Sequence, residues 1–214
     1  LCPQRSQRLL DVLQGEIQSQ RLPGAVVLVA RRGKIALFES LGQQDPATGV
    51  PMAKDAIFRI YSMTKPLVSV AVMMLMEQGQ LLLSDPVEKY LPEFAGQKVA
   101  IDANGQQVLQ DAKQAATLQD LLRHTAGLTY EFLGAAPVQQ QYARAKVNSR
   151  DFSNAEFARR LAEIPLMYQP GTVWEYSRAT DVLGCVVEAV SGMTLGEYLR
   201  TAILHPLGMH ETDF

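Results

Sequence analysis

The ten residues from Leu67 to Met76 (LVSVAVMMLM) form the longest apolar stretch in the chain and restrict its fold more than any other segment. The run is about half of the roughly 20 residues a membrane-spanning helix needs, and Gly79 follows it closely as a stop signal. Apolar positions on nearly every side predict a helix over about 62–78 that is buried all round. Pro66 is compatible with that helix, because a proline in the first turn gives up only a donor that has no partner there. Such a helix needs other elements to cover it. A chain of 214 residues, 47% hydrophobic and 20% charged, can supply them as one domain or a tight pair of lobes. A formal charge of -2 without a Lys/Arg run gives no footprint for nucleic acid. The two cysteines, Cys2 and Cys185, are too few for a disulfide scaffold and lack a metal-ligand spacing, so no metal site is expected. Cys185 reads as a small buried hydrophobe.

Around this helix the chain is punctuated clearly. Leu9, Leu10, Leu13 and Ile17 give residues 6–20 an amphipathic helical pattern that ends at Pro23-Gly24. Residues 25–30 and 34–38 flank Arg31-Arg32-Gly33 as a β-hairpin, and Asp45-Pro46-Ala47-Thr48-Gly49 is a turn. Residues 87–91 look helical, and Asn104-Gly105, flanked by Val99/Ile101 and Val108/Leu109, reads as the turn of an inserted hairpin. Thr117 caps a short helix carrying Leu118, Leu121 and Leu122. Residues 130–150 are polar and Ala/Gln-rich and are expected to be a mobile connection. Ser153 and Glu156 form a capping box, and a final helix pair covers 181–190 and 194–203, split at Ser191-Gly192. Two strands alone make a marginal sheet, so more strands are expected from elsewhere.

The chemistry-bearing candidates begin with Ser62 and Lys65. Three residues apart, they share one helical face one turn apart. Ser62 lies where free backbone N–H groups and the helix dipole favour a developing negative charge. A serine hydroxyl needs a base to become a nucleophile, and a lysine in a dry pocket can act as one. Ser-x-x-Lys alone arises by chance about 0.3 times in such a chain, and the same residues serve equally as a helix cap and a snorkelling lysine. The competing signatures are missing: there is no G-x-S-x-G, H-E-x-x-H, P-loop or G-x-G-x-x-G. His124 is the sole candidate for a Ser-His-Asp triad, but its His-Thr-Ala-Gly setting reads as a helix end.

Neighbouring segments change the weight of the tetrapeptide. Phe58-Arg59-Ile60-Tyr61-Ser62-Met63-Thr64-Lys65-Pro66, Leu121-Leu122-Arg123-His124-Thr125-Ala126-Gly127-Leu128 and Pro170-Gly171-Thr172-Val173-Trp174-Glu175-Tyr176-Ser177 stand in that order. Asp181-Val182-Leu183-Gly184 and Pro206-Leu207-Gly208-Met209 follow them. The series resembles the class C β-lactamase-like, penicillin-binding-protein-like serine hydrolase superfamily, for which S-x-x-K is a signature. The resemblance covers most of residues 24–214. It implies an α+β fold of the serine β-lactamase/D,D-peptidase kind, an antiparallel sheet flanked by helices plus a mainly helical lobe. Residues 1–58 would be the helix and hairpin of the α/β lobe, and 59–205 the helical lobe. It also implies Tyr176 as the second catalytic residue. A phenol acts as a base near neutrality only where a cation holds its pKa down; Lys65 supplies that cation, or else is itself the base while Tyr176 relays the proton.

One departure narrows the activity. Lactam- and peptide-cleaving members carry Tyr-x-Asn, whereas Arg178 stands here in the third position, and a guanidinium only donates hydrogen bonds. Arg178 is a substrate contact or a structural ion-pair residue. The pattern is closest to family VIII carboxylesterases, which implies cleavage of short acyl esters with no cofactor. The alternatives are a class C-like β-lactamase or D,D-peptidase, and a non-catalytic scaffold that keeps the fold. Tyr130 and Trp174 are candidate acyl-pocket residues. The superfamily's third motif, on a later strand that gives one oxyanion-hole donor, has no match after Tyr176. The chain is therefore expected to be an N-terminal portion whose partner is the remaining C-terminal segment. Without a visible leader or membrane span, the cytoplasm is the default location, with the periplasm or secretion open where a leader has been removed.

Overall fold

A computed structural model describes residues 2–103 and 106–214. The chain divides into two compact units, residues 1–59 and 60–214. In the first, helix α1 (Pro3–Gln18) precedes strands β1 (Gly24–Arg31), β2 (Lys34–Asp45) and β3 (Val50–Pro51), which form one antiparallel sheet in sequence order. Gly24 faces Gly42 and Arg31 faces Lys34 across the β1–β2 ladder, so Arg32-Gly33 makes the expected hairpin turn. The third strand is only two residues long. No described residue of this unit is buried.

The second unit holds the core. Helix α2 (Thr64–Glu77) follows a 3-10 turn over Tyr61–Met63. A hairpin of β4 (Lys98–Ala103) and β5 (Gln106–Asp111) then leads to α3 (Leu118–Leu122), α4 (Pro137–Arg144), α5 (Asn154–Ala162), α6 (Ala179–Ser191) and α7 (Leu195–Leu199). The last continues as a π-helical turn over Arg200–Leu204. The strands β4 and β5 pair in register from Lys98–Asp111 to Ala103–Gln106; the Asn104-Gly105 turn inferred from the sequence lies outside the described residues. Helix α6 is central, with Ala179, Val182, Leu183, Val186 and Val187 fully sealed, and it packs against α2, α3, α5 and α7. Cys185 is buried on it, and both Cys2 and Cys185 are free thiols. Among the described residues no single helix is long and apolar enough to cross a membrane.

Three expectations are corrected. Helix α2 is not buried all round: Val68, Ala71, Val72 and Leu75 face the core, while Val70 is 47% exposed and Met73 is exposed beside it. Its core-side neighbours, α6 and α7, meet one stripe only; an all-apolar pattern cannot say which stripe has a partner. Residues 130–150 are not a loose connection, because α4 runs through them with Val138, Gln139 and Tyr142 buried. Val138 and Tyr142 are four apart and share one helical face, Pro137 starts the helix, and the Gln139 amide oxygen accepts the Ala136 N–H at 3.0 Å. At α5, Ser153 accepts the Glu156 N–H at 3.2 Å, but the Glu156 carboxylate turns to Arg159 and Arg160, leaving half a capping box.

Candidate active site

Ser62 is presented by a strained turn. Tyr61, directly before it, has φ +44, a region costly for a residue with a side chain. Its backbone reverses the chain so that Tyr61–Met63 form a 3-10 turn, closed by Met63 N–H donating to Ile60 O at 2.9 Å, before α2 begins at Thr64. Lys65 is one turn on, and its Nζ donates to Ser62 Oγ at 3.1 Å. Tyr176, 114 residues later, shares a 2.5 Å hydrogen bond with the same oxygen. The Lys65 ammonium also lies 4.7 Å from the Tyr176 ring centroid and 5.8 Å from that of Tyr130.

These contacts polarise the group. Burial works to lower the Lys65 pKa, but the phenols of Tyr176 and Tyr130 raise it above the ordinary lysine value. Burial works to raise Tyr176, but Lys65 and the Ser62 hydroxyl bring it below the ordinary tyrosine value. Both shifts run the same way: Lys65 holds its proton more firmly than an ordinary lysine, and Tyr176 gives its proton up more readily than an ordinary tyrosine.

Tyr176 is held in place by the segment before it in space. Thr117 and Asp120 form a full capping box at the start of α3. Burial alone would raise the Asp120 carboxyl, yet hydrogen bonds from Thr117 and Thr125 keep it below the usual aspartate range. From there, residues 124–129 are laced to 167–178: Met167 N–H donates to Gly127 O, Gly171 N–H to Thr125 O, Glu175 N–H to His124 O and Arg178 N–H to Thr129 O, at 2.8–3.3 Å. Gly127 has φ +82, and a Cβ there would overlap the Tyr168 carbonyl oxygen. The Leu121–Leu128 segment therefore sets the path of the loop that carries Tyr176.

His124 takes the left-handed conformation (φ +57) just past Arg123, the C-cap of α3, as a helix end does. Its Nδ1 is 3.2 Å from Ser177 Oγ, and its ring packs 5.0 Å from Tyr176 and 6.3 Å from Trp174. Burial and the Lys65 charge lower its pKa, favouring the neutral ring. Tyr130 is buried beside Tyr176 at 5.3 Å and stacks on Phe132 at 4.8 Å. The result is a row of rings, Phe132, Tyr130, Tyr176, His124 and Trp174, whose end members are 67% and 65% exposed.

Arg178 is committed elsewhere. Its Nη2 donates to Glu131 at 2.7 Å, Asp181 lies at 3.7 Å, and the guanidinium sits 4.9 Å from the Tyr130 ring centroid. These contacts describe an ion-paired guanidinium. Ser62, Lys65 and Arg178 also line a cavity of about 580 Å³, whose far wall comes from residues 147–154 and includes Asn148 and Arg150. Trp174, Tyr130 and Tyr176 are not in its wall. Among the described residues no cluster of His, Cys, Asp or Glu can hold a metal ion.

Residues 9–214 match the Beta-lactamase family model. The chain belongs to that family. It is similar to Esterase EstB of Burkholderia gladioli, 40% identical over 209 residues, which are 97% of this chain and 51% of the relative. Among solved structures it is similar to EstCE1, described as a hydrolase with promiscuous acyltransferase activity, with a TM-score of 0.82 and 32% identity over 95% of this chain and 51% of the other. It also resembles the octameric penicillin-binding protein homologue from Pyrococcus abyssi, with a TM-score of 0.71 and 25% identity over 95% and 43%. The chain spans about half the length of these relatives. The fold is thus α+β of the β-lactamase/penicillin-binding-protein kind, and an esterase stands among the similar members of this beta-lactamase family.

Several features of this site leave no mark in the sequence: the strained Tyr61, Glu131 as the partner of Arg178, the His124 ring against Tyr176, and the 147–154 cavity wall. A positive φ at a tyrosine leaves no sequence signal. Glu131 and Arg178 are 47 residues apart, so only the fold brings them together. His124 belongs to the Leu121–Leu128 segment, and its neighbourhood to Tyr176 follows only from the lacing of that segment to residues 167–178.

Proposed function

We propose that this chain is the serine-bearing part of a carboxylesterase that cleaves short acyl esters through an acyl-enzyme on Ser62. The observation that carries the reading is that one oxygen, Ser62 Oγ, is hydrogen-bonded to both Lys65 and Tyr176, at 3.1 and 2.5 Å. A serine with a positioned base and a fixed cation is an activated nucleophile. Tyr176, made more acidic by the Lys65 ammonium, acts as the base in its deprotonated form and takes the Ser62 proton while Oγ bonds to the ester carbonyl carbon. The carbonyl oxygen becomes an oxyanion, the charge that backbone N–H donors stabilise at such a site. Collapse breaks the bond to the alcohol oxygen, and Tyr176 gives its proton to that leaving alkoxide. Water then repeats the sequence, with Tyr176 as base, and releases the acid from Ser62. Lys65 keeps its proton throughout.

Esters rather than lactams are favoured by Arg178, whose guanidinium is tied to Glu131 at 2.7 Å where lactam-cleaving relatives present an amide. Covalent labelling by a fluorophosphonate, with the adduct mapped to Ser62, and turnover of 4-nitrophenyl butyrate but not nitrocefin are the expected results. Turnover of the lactam alone would overturn the esterase reading, and absence of any adduct would favour a scaffold. A second reading, acyl transfer to an alcohol, is favoured by the aromatic row beside Tyr176 with its exposed ends at Phe132 and Trp174. That surface suits an apolar alcohol in place of water. An added alcohol acceptor should then divert part of the butyryl group from butyrate to a new ester.

A further inference from the structure

The cavity beside Ser62 carries a charge that the serine, lysine and tyrosine do not use. Three cations and one carboxylate stand in its wall: Lys65, Arg150, Arg178 and Asp181. Lys65 is bonded to Ser62 at 3.1 Å. Arg178 is matched by Glu131 at 2.7 Å and by Asp181 at 3.7 Å, so these charges are already answered. Arg150 is different. Among the described residues no acidic oxygen lies within 4.0 Å of its guanidinium, and the adjacent Asp151 carboxylate accepts instead from Ser149 Oγ at 3.2 Å. The wall around Arg150 sets the amides and hydroxyl of Asn148, Ser149 and Asn154 beside the apolar side chains of Val147, Phe152 and Phe157.

Which part of an ester lies here follows from the path of the proton, and this step rests on the esterase reading above. Tyr176 protonates the leaving alkoxide, so the alcohol lies against Tyr176 and its row of rings. Tyr176 is outside the cavity wall, whereas Ser62 is part of it. The acyl chain, on the opposite side of the reacting carbonyl carbon, therefore extends into the cavity. At about 580 Å³ the space is in the range of small-molecule pockets and takes a chain of several carbons. An exposed guanidinium without an acid of its own, facing such a chain, is suited to a carboxylate, which it binds in bidentate fashion. We infer that this cavity is an acyl subsite for chains that end in a carboxylate, with Arg150 as the recognising cation. The substrates are half-esters of dicarboxylic acids; water cleaves the ester bond to give the dicarboxylate and the free alcohol, and no other reactant is needed.

The test compares 4-nitrophenyl hydrogen adipate with 4-nitrophenyl hexanoate, which have acyl chains of equal carbon number, after subtraction of the uncatalysed rates. The expected result is a kcat/KM higher for the anionic ester by roughly fivefold, the size of one partly screened ion pair. That ratio should fall toward one in Arg150→Gln, invert in Arg150→Glu, and shrink as salt is raised. Because each variant serves as its own reference through the hexanoate arm, a variant with less folded protein still reports the ratio. A wild-type ratio at or below one, or a ratio unchanged in both variants, overturns the subsite while leaving the esterase reading intact. Turnover of neither ester overturns the esterase reading and the subsite together.

Discussion

In residues 2–59, α1 sets Leu9, Leu10, Leu13 and Ile17 along one stripe and the β1–β2 hairpin carries continuous apolar runs at 25–30 and 35–38, yet no residue is buried and Leu28 remains 52% exposed. In residues 60–214, shorter helices with less regular patterns close a continuous core from Val68 on α2 through Leu183 on α6 to Leu204. Local signals are therefore as strong in the first region as in the second, and the difference lies in whether apolar stripes find partners. Periodicity makes an element; only packing against other elements removes its surface from water. All members of the proposed catalytic set belong to the second region, so their positions depend on the part of the molecule with the sealed interior.

The comparison can be broken most sharply at the site. Ser62→Ala should lower esterase kcat/KM at least about 1,000-fold and Tyr176→Phe about 100-fold or more, with unchanged melting temperatures. Val12→Ala in the first region should leave the rate within about twofold. A large loss in Val12→Ala, measured on 4-nitrophenyl butyrate, would show that the division of labour is wrong. Next in size is core truncation. Leu183→Ala should cost about 2–5 kcal/mol in denaturant unfolding, against less than about 1 kcal/mol for Leu28→Ala; equal costs would mean that the hairpin is as tightly packed as α6.

Asp120→Asn should destabilise by about 1–2 kcal/mol, because the carboxylate closes the α3 capping box and accepts the Thr125 hydroxyl at 2.8 Å. Its folded-state pKa lies below the ordinary 3.8. The stabilisation is therefore complete above that value and is lost as pH falls through the lower folded value. Urea unfolding across the acid range should show a shallower loss of stability in Asp120→Asn than in the wild type. The smallest effect is a displacement of the pH–rate profile. With Tyr176 lowered by Lys65, activity should rise with pH as Tyr176 loses its proton and fall again as Lys65 loses its own. In the residual activity of Lys65→Ala the acid limb should move to higher pH. An acid limb that stays in place would assign it to another group.

Legibility followed the range of the interactions. The hairpin at Arg32-Gly33, the Thr117 cap and the helix end at Gly192 depend on residues close in the chain, and the sequence displays them. Ser62 and Lys65 are three apart and equally visible. Helix α4 was obscured by its glutamines: Gln139 is buried because its amide both caps the helix and donates to Thr129 Oγ1 at 3.3 Å, a use that composition conceals. The exposed stripe of α2 and the pairing of Arg178 with Glu131 depend on which distant elements arrive where. The Tyr176 contact, across 114 residues, was expected only because the motif series resembled a family whose members share it.

Gly127 extends the active site beyond the residues that touch it. Its missing side chain lets the Tyr168 carbonyl close against the backbone, and that contact sets the register in which the 167–178 segment lies on 124–129. In a genetic screen for loss of hydrolysis, any replacement at position 127 would score with the nucleophile itself. The map of such hits would draw a boundary around catalysis much wider than the reacting atoms, with one methyl group sufficient to cross it.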